Sequence, residues 1–130
     1  SLIEERHINL NKIEFGLNIK DSFKQKSIKY FSQDPSNNNY SLKISNLQFK
    51  KKNFYGGSAA RAQQIKIIGE VEYTFTQINS NKSGKLQVSD WISVNETNPQ
   101  SEEMAQKKII EELEFSLLEG LSKEYWLIES

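Results

Sequence analysis

Apolar and polar positions alternate along most of one long segment of the chain, residues 62–77. The apolar side chains of this segment share one face: Ile65, Ile67, Val71, Tyr73 and Phe75. A period of two predicts an antiparallel β-strand with one buried and one solvated face. Weaker alternation predicts three more strands, over residues 6–15, 40–49 and 86–94, and a phase slip in the first of them predicts a β-bulge.

Apolar spacings of three and four predict two helices, over residues 17–31 and from Pro99 to about Trp126. The first helix has a lysine-rich outer face and an apolar stripe: Ile19, Phe23, Ile28 and Phe31. The second helix has Asn98 as its predicted N-cap and a longer apolar stripe: Ala105, Ile109, Leu113, Leu117 and Leu121.

Turn-forming residues separate these elements. Asn, Asp, Ser and Pro predict a loop over residues 33–39, and residues 79–84 predict a hairpin loop. Residues 50–58 begin with three lysines and contain Gly56 and Gly57, so they predict a mobile or sharply turned connection between two strands. The order β-α-β-β-β-α predicts an α+β fold with an antiparallel sheet of about four strands and two helices on one face. With no repeat or linker, residues 1–130 are predicted to form a single domain.

Charge is balanced over the whole chain but divided unevenly along it. The chain has 17 basic and 17 acidic residues. Residues 1–66 hold 12 basic and 5 acidic side chains, whereas residues 67–130 hold 5 basic and 12 acidic ones. Two interpretations remain open at this point. The halves neutralise each other in the fold, or a basic face meets an anionic partner.

Residue types that usually perform catalysis are scarce. His7 is the only histidine and cysteine is absent, so neither a cysteine nucleophile nor a thiolate metal site is available. Neighbouring carboxylates on a helix point in different directions and predict a solvated face: Glu102, Glu103, Glu111, Glu112 and Glu114. Asp90 lies among apolar-phase positions, so it is either a buried acid or a residue at an edge or bulge position. We therefore predict a binding protein rather than an enzyme, with no catalytic residue, no metal site and no cofactor.

Lysines interleaved with aromatic residues form the best candidate binding site. The cluster comprises Lys50, Lys51, Lys52, Arg61 and Lys66, near Phe49, Phe54 and Tyr55. Lysines bind phosphates while aromatic rings stack on bases or contact acyl chains, so nucleic acid, anionic lipid and phosphorylated glycolipid all suit this composition. Zero net charge disfavours nucleic acid. The alternative interpretation of the lysines is a solubilising surface.

The arrangement resembles the LptE family of lipopolysaccharide-assembly lipoproteins. The segments that resemble it are Tyr40-Ser-Leu-Lys-Ile44, residues 59–67, Val71-Glu-Tyr-Thr-Phe75, Gly84 with the return strand, and residues 102–121. The resemblance implies a non-enzymatic lipoprotein on the periplasmic side of the outer membrane, held by a lipid anchor outside residues 1–130.

The resemblance also implies particular partners. It implies that the protein binds lipopolysaccharide and supports its assembly with an LptD-like β-barrel protein. Basic residues around the connection between the second and third strands are implied to contact the glycolipid: Lys50, Lys51, Lys52, Arg61 and Lys66. A module that binds nucleic acid or another anionic ligand is the alternative.

Overall fold

The computed structural model describes residues 8–55, 62–93 and 99–129. Within these ranges the chain forms six strands and two helices: β1 (Asn9–Leu10), β2 (Ile13–Phe15), α1 (Asp21–Tyr30), β3 (Ser32–Gln33), β4 (Ser41–Tyr55), β5 (Ala62–Gln77), β6 (Ser80–Ser93) and α2 (Pro99–Glu129). The predicted α+β class and the order β-α-β-β-β-α are confirmed. The predictions made for His7, Gly56, Gly57, Arg61 and Asn98 lie outside the described residues.

The main sheet has four strands in the order β2-β4-β5-β6. The pairs β4–β5 and β5–β6 are antiparallel, as predicted. In contrast, β2 lies parallel to β4, with Ile13 opposite Leu42 and Phe15 opposite Ile44. The sheet is therefore mixed rather than antiparallel throughout. The reason is that α1 lies between β2 and β4 in the chain, so the connection crosses over and the two strands run in the same direction.

The predicted first strand is divided between two sheets. β1 pairs in parallel with β3 in a separate two-stranded sheet, while β2 joins the main sheet. Asn11 lies between them, and its side-chain amide donates to the carbonyls of Pro35 and Asn37 at 3.1 and 2.9 Å. The phase slip in the sequence thus marks a change of partner strand rather than a bulge within one strand.

The buried stripe of α1 differs from the predicted one by one residue. Ile19, Phe23 and Phe31 are buried as expected, but Ser27 is fully buried while Ile28 is 44% exposed. The Ser27 hydroxyl donates to the Phe23 carbonyl at 2.8 Å, which satisfies its only donor inside the core. The buried residues are therefore spaced by four along the chain. Ser27, a small polar residue, is buried in the place predicted for Ile28.

The buried stripe of α2 agrees with the predicted one in its second half. Leu113, Leu117 and Leu121 are buried, and Tyr125 extends the stripe toward the C-terminus. Glu114 is also buried, at 1% exposed, so its assignment to a solvated carboxylate face is wrong. Its side chain lies between α2 and α1, where lysines of α1 neutralise it.

The β5–β6 turn is tighter than the predicted loop over residues 79–84. Gln77 pairs with Ser80, so only Ile78 and Asn79 connect the strands, and Asn79 has a φ of 66°. Asn tolerates this left-handed conformation better than most residues. Gly84 lies within β6, opposite Tyr73, where an added Cβ would lie 2.6 Å from the tyrosine hydroxyl oxygen. Position 84 therefore requires glycine because a larger side chain would clash with Tyr73, and not because the chain turns there.

Candidate ligand-binding face

Both helices pack on one side of the main sheet, and the register of the strands shows which side chains lie on the other side. Ile65, Ile67 and Val71 of β5 are buried against the helix layer. Alternation along a strand places Lys66 and the residues in phase with it on the opposite surface. We call this surface of β4, β5 and β6 the open face.

The three consecutive lysines lie in a strand, not in the predicted loop. β4 continues to Tyr55, and Lys50, Lys51 and Lys52 pair with residues of β5. Lysine has a weak preference for strands, but continuous pairing with the apolar strand β5 overrides it. Because consecutive residues alternate sides, Lys50 and Lys52 lie on the open face, whereas Lys51 lies on the helix side opposite Ile67.

Aromatic and basic side chains meet at one end of the open face. Lys52 is directly opposite Lys66, and Trp91 of β6 is the next residue in the same row. The Lys66 Nζ lies 5.4 Å from the centre of the Trp91 ring, and the Phe54 and Trp91 rings are 4.9 Å apart. We call this group, Lys50, Lys52, Phe54, Lys66 and Trp91, the basic-aromatic patch.

The lysines of the patch have no acidic neighbour in the described part of the chain. No carboxylate there lies within 4.0 Å of the amino groups of Lys50, Lys52 or Lys66. Like charges directly opposite each other in an antiparallel pair destabilise it, typically by about 0.2–1 kcal/mol. A bound anion would remove that repulsion, so the patch is suited to phosphate or carboxylate ligands.

Polar groups elsewhere on the open face are paired with each other. The Glu70 carboxylate accepts from the Gln48 amide at 3.4 Å and from the Gln87 amide at 3.2 Å. Lys85 lies 3.2 Å from Glu72. These contacts satisfy the hydrogen-bonding groups locally. Glu70 keeps its negative charge because amides are neutral, and the charges of Lys85 and Glu72 offset each other.

At the β2 edge, Lys12 lies 2.7 Å from Glu14. The hydrogen bond and the charge of Lys12 hold the pKa of Glu14 below its ordinary value. This carboxylate stays ionised and paired at neutral pH. The β2 end of the open face therefore has the same character as its centre, and the basic-aromatic patch is the part that differs.

Residues 8–55, 62–93 and 99–129 contain no group of three or more His, Asp or Glu side chains that could hold a metal ion. Asp90 is exposed, and its carboxylate accepts from the Trp91 backbone N–H at 2.8 Å. Of the two interpretations of Asp90, the position on an edge strand is confirmed and the buried acid is wrong. The open face can bind an anion next to an apolar group.

The predicted site and the observed patch overlap in part. Lys50, Lys52 and Lys66 come together, Lys51 points to the other side of the sheet, and Arg61 lies outside the described residues. Phe54 was named as an aromatic neighbour of the predicted lysines, whereas Trp91 was not connected with the site. Trp91 had a usable signal, because a large aromatic residue in the solvated phase of a strand is unusual.

Among solved structures, the same fold occurs in small bacterial lipoproteins. Rare lipoprotein B from Shewanella oneidensis matches with a TM-score of 0.72 and 8% identity, over 92% of this chain and 96% of that one. A minor lipoprotein from Acinetobacter baumannii matches with a TM-score of 0.66 and 10% identity, over 91% of this chain and 92% of that one. Lipoprotein B from Nitrosomonas europaea matches with a TM-score of 0.63 and 8% identity, over 90% of this chain and 81% of that one.

Rare lipoprotein B is the LptE family, so the resemblance predicted from the sequence is confirmed at the level of the fold. No protein-family profile matches the sequence. No curated protein matches it either. In the part of the chain that the structure describes, neither helix contains an apolar stretch long enough to cross a bilayer.

Proposed function

We propose that this protein is a non-enzymatic, lipid-anchored accessory protein of the outer membrane that binds lipopolysaccharide and supports its assembly with an LptD-like β-barrel partner. The observation that carries the proposal is the cross-strand pair Lys52 and Lys66 beside Trp91, with no described carboxylate to neutralise the lysines. The proposed site consists of the basic-aromatic patch. Arg61 remains a proposed member on the resemblance alone.

The chemistry of lipopolysaccharide suits both parts of the patch. Its membrane-embedded portion joins phosphate groups to acyl chains, so a matching protein surface needs cations next to apolar groups. Lysine ammonium groups bind phosphate as point charges. Trp91 is 46% exposed and Phe54 is 43% exposed, so their rings are accessible to acyl chains or to the apolar side of a sugar. A ligand with phosphate alone would leave these rings in water.

The likeness to solved lipoproteins supports the proposed anchor and the proposed location on the periplasmic side of the outer membrane. Sequencing the gene upstream of the codon for Ser1 tests this part. We expect a signal peptide that ends in a cysteine suited to lipid modification. A coding sequence that starts at Ser1 without such a segment would contradict the anchored location.

Binding is tested by titrating the protein with lipopolysaccharide while following tryptophan fluorescence. The double variant Lys52→Glu/Lys66→Glu replaces both opposed cations, and we expect its affinity to fall by at least about tenfold because charge-assisted contacts to phosphate are lost. Glutamate keeps the strand charged and soluble, so circular dichroism should remain that of the wild type. Unchanged affinity in the folded double variant would overturn the proposed site.

Lys51→Glu is the matched control, because it makes the same charge change one residue away on the other side of the sheet. We expect its affinity for lipopolysaccharide to equal that of the wild type. Affinity of the wild type should decrease as salt is added, because ions screen exposed charges. A single-stranded oligonucleotide that binds more tightly than lipopolysaccharide at equal salt would instead favour the nucleic-acid alternative.

A further inference from the structure

One edge of the main sheet is only partly covered. β2 pairs with Leu42, Lys43 and Ile44 and then ends, whereas β4 continues to Tyr55. From residue 46 to residue 55, β4 is paired on its other side with β5 but has no neighbouring strand on the β2 side among the described residues. This length is that of an ordinary β-strand.

The backbone groups that point away from β5 are identified by the short pairing with β2. Leu42 N–H donates to the Lys12 carbonyl at 2.9 Å, and the Ile44 carbonyl accepts from Gly16 N–H at 2.8 Å. Residues of β4 whose side chains lie on the helix side therefore direct their backbone groups to the free edge. Beyond the irregularity between Ile44 and Asn46, these residues are Leu47, Phe49, Lys51 and Asn53.

No described group bonds to the edge from outside. None of the hydrogen bonds among the described residues engages the outward backbone groups of Leu47, Phe49, Lys51 or Asn53. The opposite edge, β6, also has no outer neighbour among the described residues, and one of its outward groups, the Trp91 N–H, donates to Asp90 Oδ1 at 2.8 Å. An unpaired edge is a template for an added strand. The free part of β4 differs from β6 in its three consecutive lysines, which make it the better place for an acidic strand.

The charges along the free edge of β4 determine which kind of added strand can bind there. Lys50, Lys51 and Lys52 are all exposed, and alternation places them on both sides of the sheet. A ligand on the open face contacts Lys50 and Lys52 and leaves Lys51 unused. A strand added at the edge has side chains on both sides, so its acidic residues reach all three lysines. A second copy of β4 would instead place lysines against lysines, which is a known protection against self-association.

We propose that the free edge of β4 receives an extended, acidic segment of a partner polypeptide as an additional β-strand. The partner's backbone bonds to the outward groups of Phe49, Lys51 and Asn53, and its Asp or Glu side chains pair with the three lysines. Main-chain bonds supply affinity, and the lysines select an acidic partner. This interaction uses the side of the strand, so it is independent of lipopolysaccharide binding by the open face.

Amide hydrogen exchange measured by NMR tests the proposal. The probe is a synthetic nine-residue peptide of valine with three consecutive central glutamates, so that acidic side chains lie on both sides of the added strand. The control is the same peptide with lysine in place of glutamate. With the acidic peptide we expect slower exchange at Phe49, Lys51 and Asn53. Little change is expected at Lys50 and Lys52, whose amides already face β5. The basic peptide should change neither set.

Variants separate edge pairing from simple charge attraction. Lys51→Pro removes the central outward N–H and should abolish the slowing of exchange, and Lys51→Glu should weaken it while leaving lipopolysaccharide affinity intact. Lys82→Glu, an exposed position on β6 at the opposite edge of the sheet, should leave peptide binding unchanged. The proposal is overturned if the acidic peptide slows no amide of β4, if both peptides act equally, or if the affected amides lie on β6.

Discussion

Lysines occur in two regions of this molecule, on α1 and at the end of β4, and their surroundings are opposite. On α1, Lys20 and Lys26 share the buried carboxylate of Glu114, with Lys20 Nζ 3.1 Å from Oε2 and Lys26 bonded to Oε1. Aromatic rings flank both amino groups, at 5.2 and 5.4 Å. At the end of the sheet, Lys52 and Lys66 face each other without an acidic partner in the described structure.

This difference separates lysines that stabilise the fold from lysines that are available to a ligand. The bonds of Glu114 are the only ion pairs between residues 1–66 and residues 67–130 in the described part of the chain. The first interpretation of the uneven charge distribution is confirmed between the helices, and the second, a basic face that meets an anionic partner, stays a prediction for the open face. The halves neutralise each other between the helices, and a basic surface remains on the open face.

The largest effect on stability is expected from a proline among the lysines at the end of β4, because these lysines lie in a strand. In Lys52→Pro the ring removes an N–H that faces β5, so a bond of the sheet is lost beside Lys66. We expect the free energy of unfolding to fall by about 2–3 kcal/mol, measured by urea denaturation.

Lys51→Pro is the matched substitution, because the Lys51 N–H points to the free edge. Its expected loss is under about 1 kcal/mol, since no bond of the sheet is removed. Equal losses in the two variants would show that the assignment of inward and outward groups is wrong, and would weaken the proposed strand addition as well.

The next largest loss of stability is expected from removing the carboxylate that Lys20 and Lys26 share. Glu114→Ala leaves Lys20 and Lys26 without their shared carboxylate next to the core. Because the lysine side chains are 47% and 24% exposed, they can partly turn to water, and we expect a loss of about 2 kcal/mol rather than the larger loss for a fully buried pair. Glu111→Ala, at an exposed position of the same helix, should change stability by less than about 0.5 kcal/mol. A stable Glu114→Ala variant would mean that the pair is not structural.

The smallest effect has the opposite sign. Lys52→Glu converts the repulsive cross-strand pair with Lys66 into an attractive one and keeps the contact of Lys66 with Trp91, so we expect stability to rise by about 0.5 kcal/mol at low salt. The gain should disappear in concentrated salt, which screens both the repulsion and the new attraction. A loss of stability at low salt would contradict the view that these lysines are kept together at a cost to the fold.

Most of the fold could be predicted because its signals are local. The alternation in β5 continues over many residues, so its buried face was identified correctly at Ile65, Ile67, Val71, Tyr73 and Phe75. The stripe of α2 was equally clear at Leu113, Leu117 and Leu121. The parallel pairing of β2 was missed, since it depends on the path of a crossover connection and not on any residue pattern.

The site was predicted less completely because its members come from three strands. The lysines of β4 and β5 could be predicted as site residues from composition. The sequence could not show that Lys50, Lys52 and Lys66 lie on the open face of the sheet while Lys51 lies on the helix side. Which lysines lie on which face depends on strand register, because a slip of one residue moves every side chain of a strand to the other face. Trp91 entered the site only when β6 was placed beside β5.

The sequence by itself determined the class of fold, the order of the elements, most of the core and the general location of basic and aromatic residues, because these follow from short-range periodicity and composition. Tertiary structure alone decided that Glu114 is buried and that Ser27 replaces Ile28 in the core. It also decided that Lys52 and Lys66 stand opposed while Lys51 borders a free edge. These are relations between elements distant in sequence, and the energy that fixes them arises only when the sheet and both helices pack together.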